Sequence, residues 1–214
     1  MNIVEISNYR YTTKHYDKSK KIPAQQIEQL LAVLRNTPSS VNSQPWHFIV
    51  IESDAAKQKI VPAIPDFNLP RVVDSSHTIV FCAKTPLDET HLHNVLEQED
   101  KDGRYPSADL KEGQDKGRHY FVNLNSTTVE SQIQWESKQI YIALGQLLFA
   151  AAAIGIDSTA IEGYDSAKMD EILDLKAKGL KSVVVATIGY RAANDSNAQR
   201  PKSRLPNEQI FTIL

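Results

Sequence analysis

Apolar residues recur along the chain with two periods, one typical of helices and one typical of buried strands. Ile27, Leu30, Leu31 and Leu34 fall at helical spacing after Pro23, a residue suited to the first turn of a helix. The pattern predicts an amphipathic helix that ends before the next proline in the chain.

Four short apolar runs, rich in β-branched and aromatic residues, predict strands of the core. They cover residues 46–51, 78–83, 156–161 and 182–190. A short helix and then a proline-rich loop over residues 62–70 are expected between the first two runs. A second short helix, near residues 166–175, is expected between the last two.

The longest helical pattern runs roughly from residue 130 to residue 154. Its second part, residues 140–154, is apolar on nearly every side and is followed by Gly155, so the helix is expected to be buried. It falls short of the about 18–20 apolar residues that a bilayer requires, which argues against a membrane span. The charged, helical stretch before it, approximately residues 87–125, is interpreted as an inserted helical excursion with a break at residues 102–106.

Composition limits the classes of partner. The chain has 214 residues and a net charge of -2, with 24 basic and 26 acidic side chains, so it has no general attraction for nucleic acid. Cys82 is the only cysteine and lies in an apolar run, which excludes an internal disulfide and fits a reducing compartment. The first residues show no export signal, and a cytoplasmic location is expected.

The sequence lacks the common enzyme signatures that would indicate a dinucleotide site, a P-loop or a hydrolase. The sequence contains no dinucleotide-binding Gly-x-Gly-x-x-Gly, no P-loop, no His-Glu-x-x-His and no Gly-x-Ser-x-Gly motif. His91 and His93 stand two positions apart on a predicted helix, so they do not share a face, and no further ligands accompany them. No metal site is expected, and Trp135 on the long helix is interpreted as packing.

The loop over residues 38–45 has an unusual composition and leads directly into the first predicted strand. Between Pro38 and Pro45 it carries short or planar hydrogen-bonding side chains at Ser39, Asn42 and Gln44. Because the prolines restrict the backbone and loops on a scaffold often bind ligands, the segment looks like a ligand cradle. An ordinary turn between a helix and a strand would have a similar composition.

Four further segments favour the interpretation of this loop as a ligand cradle over an ordinary turn. They are Tyr9-Arg10-Tyr11-Thr12-Thr13-Lys14-His15-Tyr16-Asp17, Ile161-Glu162-Gly163-Tyr164, Ile188-Gly189-Tyr190-Arg191 and Pro201-Lys202-Ser203-Arg204. Together with the 38–45 loop, and in this order from residue 1 to 214, they resemble the signature segments of the FMN-dependent nitroreductase family. The likeness is greatest to bacterial oxygen-insensitive NAD(P)H nitroreductases and flavin reductases.

The resemblance implies a single domain over residues 1–214 with an α+β fold, in which a central, mostly antiparallel sheet is flanked by helices. It also implies an intertwined homodimer. The C-terminal arm, approximately residues 191–214, would cross to the second subunit and add a strand there, which would cover the apolar end at residues 210–214. The alternative is that this end docks on its own sheet.

The resemblance implies that the protein is an NAD(P)H-dependent flavin oxidoreductase. It would reduce nitroaromatics, quinones or flavins by a ping-pong mechanism. FMN would be bound, NADH or NADPH would donate hydride to its N5 atom, and no side chain would be catalytic. Its partners would be small planar electron acceptors. Neither nucleic acid nor a membrane would be a partner. The same fold supports dihydropteridine reduction, enone reduction and reductive dehalogenation, and a non-enzymatic flavin-binding dimer is the alternative from another class.

FMN requires a protein to neutralise its phosphate, satisfy the polar edge of its ring and place positive charge near N1 and O2. Arg10, Lys202 and Arg204 have the chemistry for the phosphate, and the resemblance places them there. By the same resemblance, Thr12 lies beside the ribityl phosphate and Lys14 near N1 and O2.

The flavin-binding residues that the resemblance implies are Arg10, Tyr11, Thr12, Lys14, Pro38, Ser39, Ser40, Asn42, Asn68, Arg71, Gln139, Ile161, Glu162, Gly163, Lys202 and Arg204. Among them, Pro38, Ser39, Ser40, Asn42 and Gln139 would reach the flavin from the other subunit, and the main chain of Glu162 and Gly163 would pass its N5 atom.

The resemblance also implies the substrate-lining residues Val41, Phe67, Arg104 and Phe121, with Arg104 near the phosphates of the nicotinamide donor. Two departures from close relatives affect the site. Arg71 stands where most of them carry lysine, and Val41 where many carry a hydroxyl residue. The loop over residues 62–68 is also shorter than in the enteric enzymes.

Overall fold

The structure is a computed structural model that describes residues 2–214. The strands are β1 Trp46–Ile51, β2 His77–Lys84, β3 Asp157–Ile161 and β4 Leu180–Gly189. The helices are α1 Ile3–Tyr9, α2 Ala24–Arg35, α3 Asp54–Ile60, α4 Leu69–Val73, α5 Glu89–Lys101, α6 Ala108–Asn125, α7 Val129–Ala153, α8 Ser166–Ile172 and α9 Asn207–Ile210. Short 3₁₀ turns cover Ser40–Asn42, Val61–Ala63 and Lys176–Lys178.

The four strands form one sheet in the order β1-β2-β4-β3, and each neighbouring pair is antiparallel. The β2–β4 register shifts by one residue between Phe81 and Cys82, which marks a bulge. All four predicted strands are confirmed, and with them the predicted α+β class with an antiparallel sheet.

Side chains alternate between the two faces of the sheet. On β2, Ile79 and Phe81 face a core with α2 and α7, whereas Val80 and Cys82 face a core with α3, α4 and α8. Helices therefore cover both faces. The Cys82 side chain is buried as predicted, and burial followed by the charge of Asp170 raises the pKa of its thiol to about 12.

Helix α7 is the longest helix, and it begins with a capping box between Thr128 and Ser131. Its prediction as a helix is confirmed, but complete burial is wrong for this chain alone. Tyr141, Ile142 and Phe149 are 40%, 44% and 39% exposed, because only one side of the helix meets the sheet. No helix in residues 2–214 combines the length and apolarity that a membrane span requires.

The predicted excursion is present as helices α5 and α6, with the break at residues 102–106 between them. Leu92 of α5 and Val122 of α6 pack against Trp135 of α7, so the interpretation of that tryptophan as packing is confirmed. The ring of His91 forms a hydrogen bond within the protein, since its Nε2 atom lies 2.7 Å from the main-chain oxygen of Ser43.

Two local predictions need correction, and one helix was not predicted. Residues 62–70 are not all loop, because α4 begins at Leu69 with Pro70 in its first turn, where a missing N–H group costs no hydrogen bond. Pro23 caps α2 from the preceding position rather than lying inside its first turn. Helix α1 lacked a clear apolar period, but a capping box between Asn2 and Glu5 starts it.

The C-terminal arm leaves the sheet and ends in solvent. Phe211 is 64% exposed and Ile213 is 97% exposed, so the alternative that this apolar end docks on its own sheet is wrong. The arm forms the short helix α9, and within the described chain it adds no strand to the sheet. Addition of a strand to a partner stays a prediction.

The free edge of β3 is covered by the segment that follows α1. Thr12 and Ser158 form a parallel bridge there. Further along, the hydroxyl of buried Tyr16 donates to the main-chain oxygen of Thr187 at 3.0 Å. The ring of Tyr16 rests on Gly189, where a Cβ atom would lie only 2.8 Å from the ring atom Cδ1. A glycine is therefore required at residue 189 by this close approach.

We expect Gly189→Ala to lower the free energy of unfolding by about 1–3 kcal/mol, since the ring is fixed by its hydroxyl and the added methyl group overpacks the contact. Gly113→Ala is the matched control, because a Cβ atom there meets no atom within 4 Å and alanine favours helix α6 by about 1 kcal/mol. Urea denaturation followed by circular dichroism, at one protein concentration, measures both. Equal midpoints for the two variants would contradict the contact between Tyr16 and Gly189.

Candidate active site

A cleft of about 570 Å³ opens where residues 8–12 meet residues 197–204. We call it the cationic cleft. It brings together five of the predicted flavin-binding residues from the two ends of the chain, namely Arg10, Tyr11, Thr12, Lys202 and Arg204. Lys202 ties the arm to the end of α1, because its Nζ atom donates to the main-chain oxygens of Ser7 and of Arg10, the latter at 2.5 Å.

The cationic cleft has an excess of positive charge. Burial, followed by the charge of Arg204, lowers the pKa of Arg10. Burial, followed by the charges of Arg10 and Arg204, lowers the pKa of Lys202. Within residues 2–214, none of these three side chains forms an ion pair with a carboxylate. The cleft therefore suits an anion that is not part of this chain.

A second group of predicted residues meets around Asn68, which is 3% exposed. The Asn68 Nδ2 atom donates to the main-chain oxygen of Gly163 at 2.8 Å, and its Oδ1 atom accepts a hydrogen bond from Arg71. Burial, followed by the charges of Arg71 and Arg200, lowers the pKa of Lys14, so this lysine is in electrostatic contact with an arginine of each group. We call Lys14, Asn68, Arg71, Glu162 and Gly163 the ring-edge cluster.

Two features of the ring-edge cluster favour an added polar ligand. The Nε atom of Arg71 is buried without a hydrogen-bond partner in the described chain, and so is the hydroxyl of Tyr11 in the cationic cleft. A Cβ atom on Gly163 would lie 3.2 Å from the Asn68 Nδ2 atom, so a side chain there would press on the amide.

The residues around Gly163 have separate tasks. One carboxylate oxygen of Glu162, Oε1, accepts a hydrogen bond from the hydroxyl of Tyr141, which directs this side chain toward α7. Ile161 is 2% exposed and its side chain lies in the core beneath β3, so only its main chain can contribute to the predicted site.

The loop over residues 38–44 has a strained backbone. Val41, Asn42 and Gln44 have φ angles of 48°, 50° and 45°, in the left-handed region that disfavours residues with a side chain, above all a β-branched valine. The loop is held by hydrogen bonds from Ser40 N to Gln139 Oε1 at 2.9 Å and from Gln44 N to Ser39 Oγ at 3.0 Å. Such strain persists only where the surroundings fix it, and it is common at functional sites.

Glu99 on α5 fixes this loop from the excursion. It accepts hydrogen bonds from Asn42 Nδ2 at 2.6 Å, from Tyr105 and from Arg118, and Arg118 Nε donates to the main-chain oxygen of Val41 at 3.1 Å. Burial raises the pKa of Glu99, but these hydrogen bonds outweigh it and hold the pKa below its usual range. Sequence reasoning missed Glu99 and Arg118, because they read as two more charges in a charged segment.

Helix α7 separates the loop from the ring-edge cluster within one chain. Gln139 contacts Ser40, whereas Tyr141, two positions on, contacts Glu162. Residues two positions apart in a helix point about 200° apart around its axis. The loop and the ring-edge cluster therefore lie against different sides of α7, and the cationic cleft is lined by no residue of the loop.

The predicted substrate-lining residues lie on different elements. Phe67 is 69% exposed and lines a second cleft with Gly163, whereas Phe121 is 45% exposed on α6 and packs edge-on against Tyr120. Arg104 contacts Glu99 at 3.7 Å, and Val41 lies in the strained loop. The described chain does not bring these four residues to one cleft.

Sequence reasoning also missed the connection over residues 191–197, which holds the segment carrying Arg10. Asn197 Nδ2 donates to the main-chain oxygen of Thr12 at 2.8 Å, and Asp195 Oδ2 accepts from Lys14 N at 3.0 Å. Arg191 contacts the rings of Tyr9 and Tyr11. The two tyrosines on either side of Arg10 are the signal that could have indicated stacking partners for a second arginine.

Known proteins match the sequence and the fold over nearly the whole chain. A sequence model of the nitroreductase family matches residues 8–190. The chain is 40% identical over 215 residues to an oxygen-insensitive NAD(P)H nitroreductase of Salmonella typhimurium, with 99% of each chain covered. It is 40% identical over 209 residues to the major NAD(P)H-flavin oxidoreductase of Aliivibrio fischeri, with 96% of this chain and 95% of that one covered.

Among solved structures, a nitroreductase-type protein from Exiguobacterium sibiricum in complex with FMN superposes with a TM-score of 0.85 at 24% identity, over 100% of this chain and 98% of that chain. These matches confirm the predicted fold and define an NAD(P)H-dependent oxidoreductase, the enzyme class that the sequence predicts. The chain belongs to the nitroreductase family.

We expect Arg118→Met to lower the free energy of unfolding by about 3 kcal/mol, because Arg118 is fully buried and its loss leaves the Glu99 carboxylate buried without its cation. Lys111→Met on the same helix is the control. Lys111 pairs with Glu97 and Asp100 nearer the surface, so its loss should cost far less than the loss of Arg118. Denaturant titration measures both, and an Arg118→Met variant as stable as the control would contradict the role given to the buried pair.

Proposed function

We propose that the protein is a homodimeric FMN oxidoreductase, formed by a single domain over residues 1–214, that uses NADH or NADPH to reduce nitroaromatics, quinones or flavins. One observation carries the proposal: a row of cations runs from the cationic cleft to the ring-edge cluster without carboxylate partners in the described chain. Its members are Arg10, Lys14, Arg71, Arg200, Lys202 and Arg204.

The cationic cleft fits the phosphate of FMN. Two guanidinium groups and one ammonium group, from Arg10, Arg204 and Lys202, supply planar and point-like donors for a dianion. Thr12 lies in the same cleft beside them and would meet the ribityl end of the phosphate. The unpartnered hydroxyl of Tyr11 is a further donor on that side.

The ring-edge cluster fits the polar edge of the flavin ring. Asn68 and the unpartnered Nε atom of Arg71 supply donors and an acceptor for the pyrimidine edge. Lys14 would place positive charge near N1 and O2, where it stabilises negative charge on a reduced ring. The main-chain N–H of Gly163 would face N5.

When bound, FMN supplies the redox chemistry by accepting hydride at N5 from NAD(P)H and passing electrons to a second substrate, so that the two substrates react in turn. This chain's residues bind the cofactor, orient it and set the charge around its ring. No side chain is assigned as a proton donor, because none in the ring-edge cluster combines an open position with a suitable acid, and water can serve.

A second subunit completes the site in this proposal. In one chain, Gln139 and the 38–42 loop lie across α7 from Glu162, so the same residues of a partner would have to reach the flavin from the other side. The exposed apolar side of α7 and the exposed end of the arm are the surfaces that a partner would cover. Apolar surface on a long helix together with an unpartnered terminus is typical of obligate dimers.

The alternatives make different use of the same site. Dihydropteridine and enone reduction would need only a changed fit at Val41 and Phe67, and a panel of acceptors separates them. A non-enzymatic flavin-binding dimer would need the cationic cleft but not positive charge at the ring edge, where Lys14 and Arg71 supply it. These two cations favour an enzyme.

We expect the purified protein to show a flavin absorption band that bleaches when NADH or NADPH is added anaerobically and returns when a quinone or nitroaromatic is added. The two half-reactions give ping-pong kinetics, measured as parallel double-reciprocal plots. A bound flavin that neither donor bleaches would favour the non-enzymatic alternative. Protein that takes up no FMN would overturn the proposed cofactor.

We expect Arg10→Ala combined with Arg204→Ala to weaken FMN binding about a hundredfold, because two charge-assisted contacts to the phosphate are lost. The dimer should persist, since neither side chain lies on the exposed side of α7 or in the apolar end of the arm at residues 210–214. The matched control is Lys59→Ala combined with Lys168→Ala, which removes two cations from exposed helices far from the cleft. Fluorescence titration measures affinity and size-exclusion chromatography the dimer, and stoichiometric flavin in the first variant would contradict the phosphate assignment.

A further inference from the structure

Arg191 stands between two tyrosines at the inner wall of the cationic cleft. Its guanidinium carbon lies 4.6 Å from the ring centre of Tyr9 and 4.4 Å from that of Tyr11. Both distances are within the range of cation–π contact. The three side chains form a stack that we call the Tyr-Arg-Tyr clamp.

Asp157, the first residue of β3, holds the guanidinium in the clamp. The Asp157 Oδ1 atom accepts from Arg191 Nε at 2.8 Å, and its Oδ2 atom accepts from the main-chain N of Arg191 at 2.7 Å. Asp157 is 7% exposed, so this ion pair is largely protected from solvent. The charge of Arg191 is thereby neutralised inside the protein, unlike that of Arg10, Lys202 and Arg204.

The clamp fixes the backbone of the residue between the tyrosines. Tyr9 is the last residue of α1, and Arg10 leaves the helix with φ -64° and ψ 130°. Because the rings on both sides of Arg10 in the chain are held against Arg191, the backbone that carries Arg10 is fixed at the wall of the cleft. The Arg10 side chain lines the cleft together with Lys202 and Arg204.

We propose that Arg191 is a positioning residue for the cofactor phosphate: it clamps Tyr9 and Tyr11 and so holds Arg10, the residue between them, in the cleft. The inference rests on the proposed function, since it needs FMN in this cleft. Asp195 and Asn197 hold the backbone of the same segment from the same connection, and Arg191 adds the contact to the two rings.

Titration of the flavin-free protein with FMN and with riboflavin, which lacks the phosphate, tests the proposal. We expect Arg191→Lys, which keeps the charge but loses the planar stack, to weaken FMN binding about tenfold and to leave riboflavin binding unchanged. Tyr9→Leu combined with Tyr11→Leu should have the same effect. The variant with all three substitutions should lose little more than either, because both break one interaction.

Lys168→Gln, an exposed cation of α8, is the control and should leave both affinities unchanged. Three results would overturn the proposal for Arg191. If Arg191→Lys binds FMN as tightly as the parent protein while Arg191→Gln does not, Arg191 acts only through its charge. If riboflavin binding falls as much as FMN binding, the clamp is merely structural. If the tyrosine variant is unaffected, the rings do not position Arg10.

A failure of the proposed function gives a different result. In that case the parent protein itself binds neither FMN nor riboflavin, and the inference falls with it. A parent protein that binds both, with any of the three contrary results above, overturns the clamp alone.

Discussion

The segment over residues 12–16, laid along the free edge of β3, is the constraint on which the rest of the structure depends. Thr13 N donates to the main-chain oxygen of Ser158 at 3.4 Å, and Thr159 Oγ1 donates back to the main-chain oxygen of Thr13 at 2.6 Å. Tyr16 then fixes the end of the segment beneath β4. The segment covers a strand edge that would otherwise expose unpaired backbone groups, and Arg10 and Lys14 are carried by this fixed stretch of chain.

Because this segment is fixed, the site is assembled from parts that are far apart in sequence. The connection after β4 carries Arg191 and Asp195 back to it, and the arm then delivers Lys202 and Arg204. The ring-edge cluster lies at the other end of the same row of cations. In the proposed function, the rigid sheet would set the distance between the phosphate end and the ring end of the cofactor, which is a form of preorganisation.

Elements with a strong local period were predictable, and contacts between distant charges were not. Strand β1 matches its predicted limits, because a short apolar run bounded by turn residues specifies a strand on its own. The members of the cation row other than Arg200 were predicted, but only resemblance to a family brought them together, and Arg200 was not predicted. Glu99 and Arg118 stand 19 residues apart on two helices, and no local pattern distinguishes a buried pair from surface charges. The left-handed φ angle of Val41 runs against the preference of its side chain, so tertiary contacts alone determine it.

The sealed position of Cys82 has a practical consequence. Its side chain is fully buried at the bulge of β2, and its thiol stays protonated at neutral pH because burial raises the pKa to about 12. Only the thiolate reacts with common labelling reagents. The native chain is therefore chemically silent toward maleimides, and one cysteine introduced on the arm or on α6 becomes a unique attachment point for a spectroscopic reporter without removal of the natural residue.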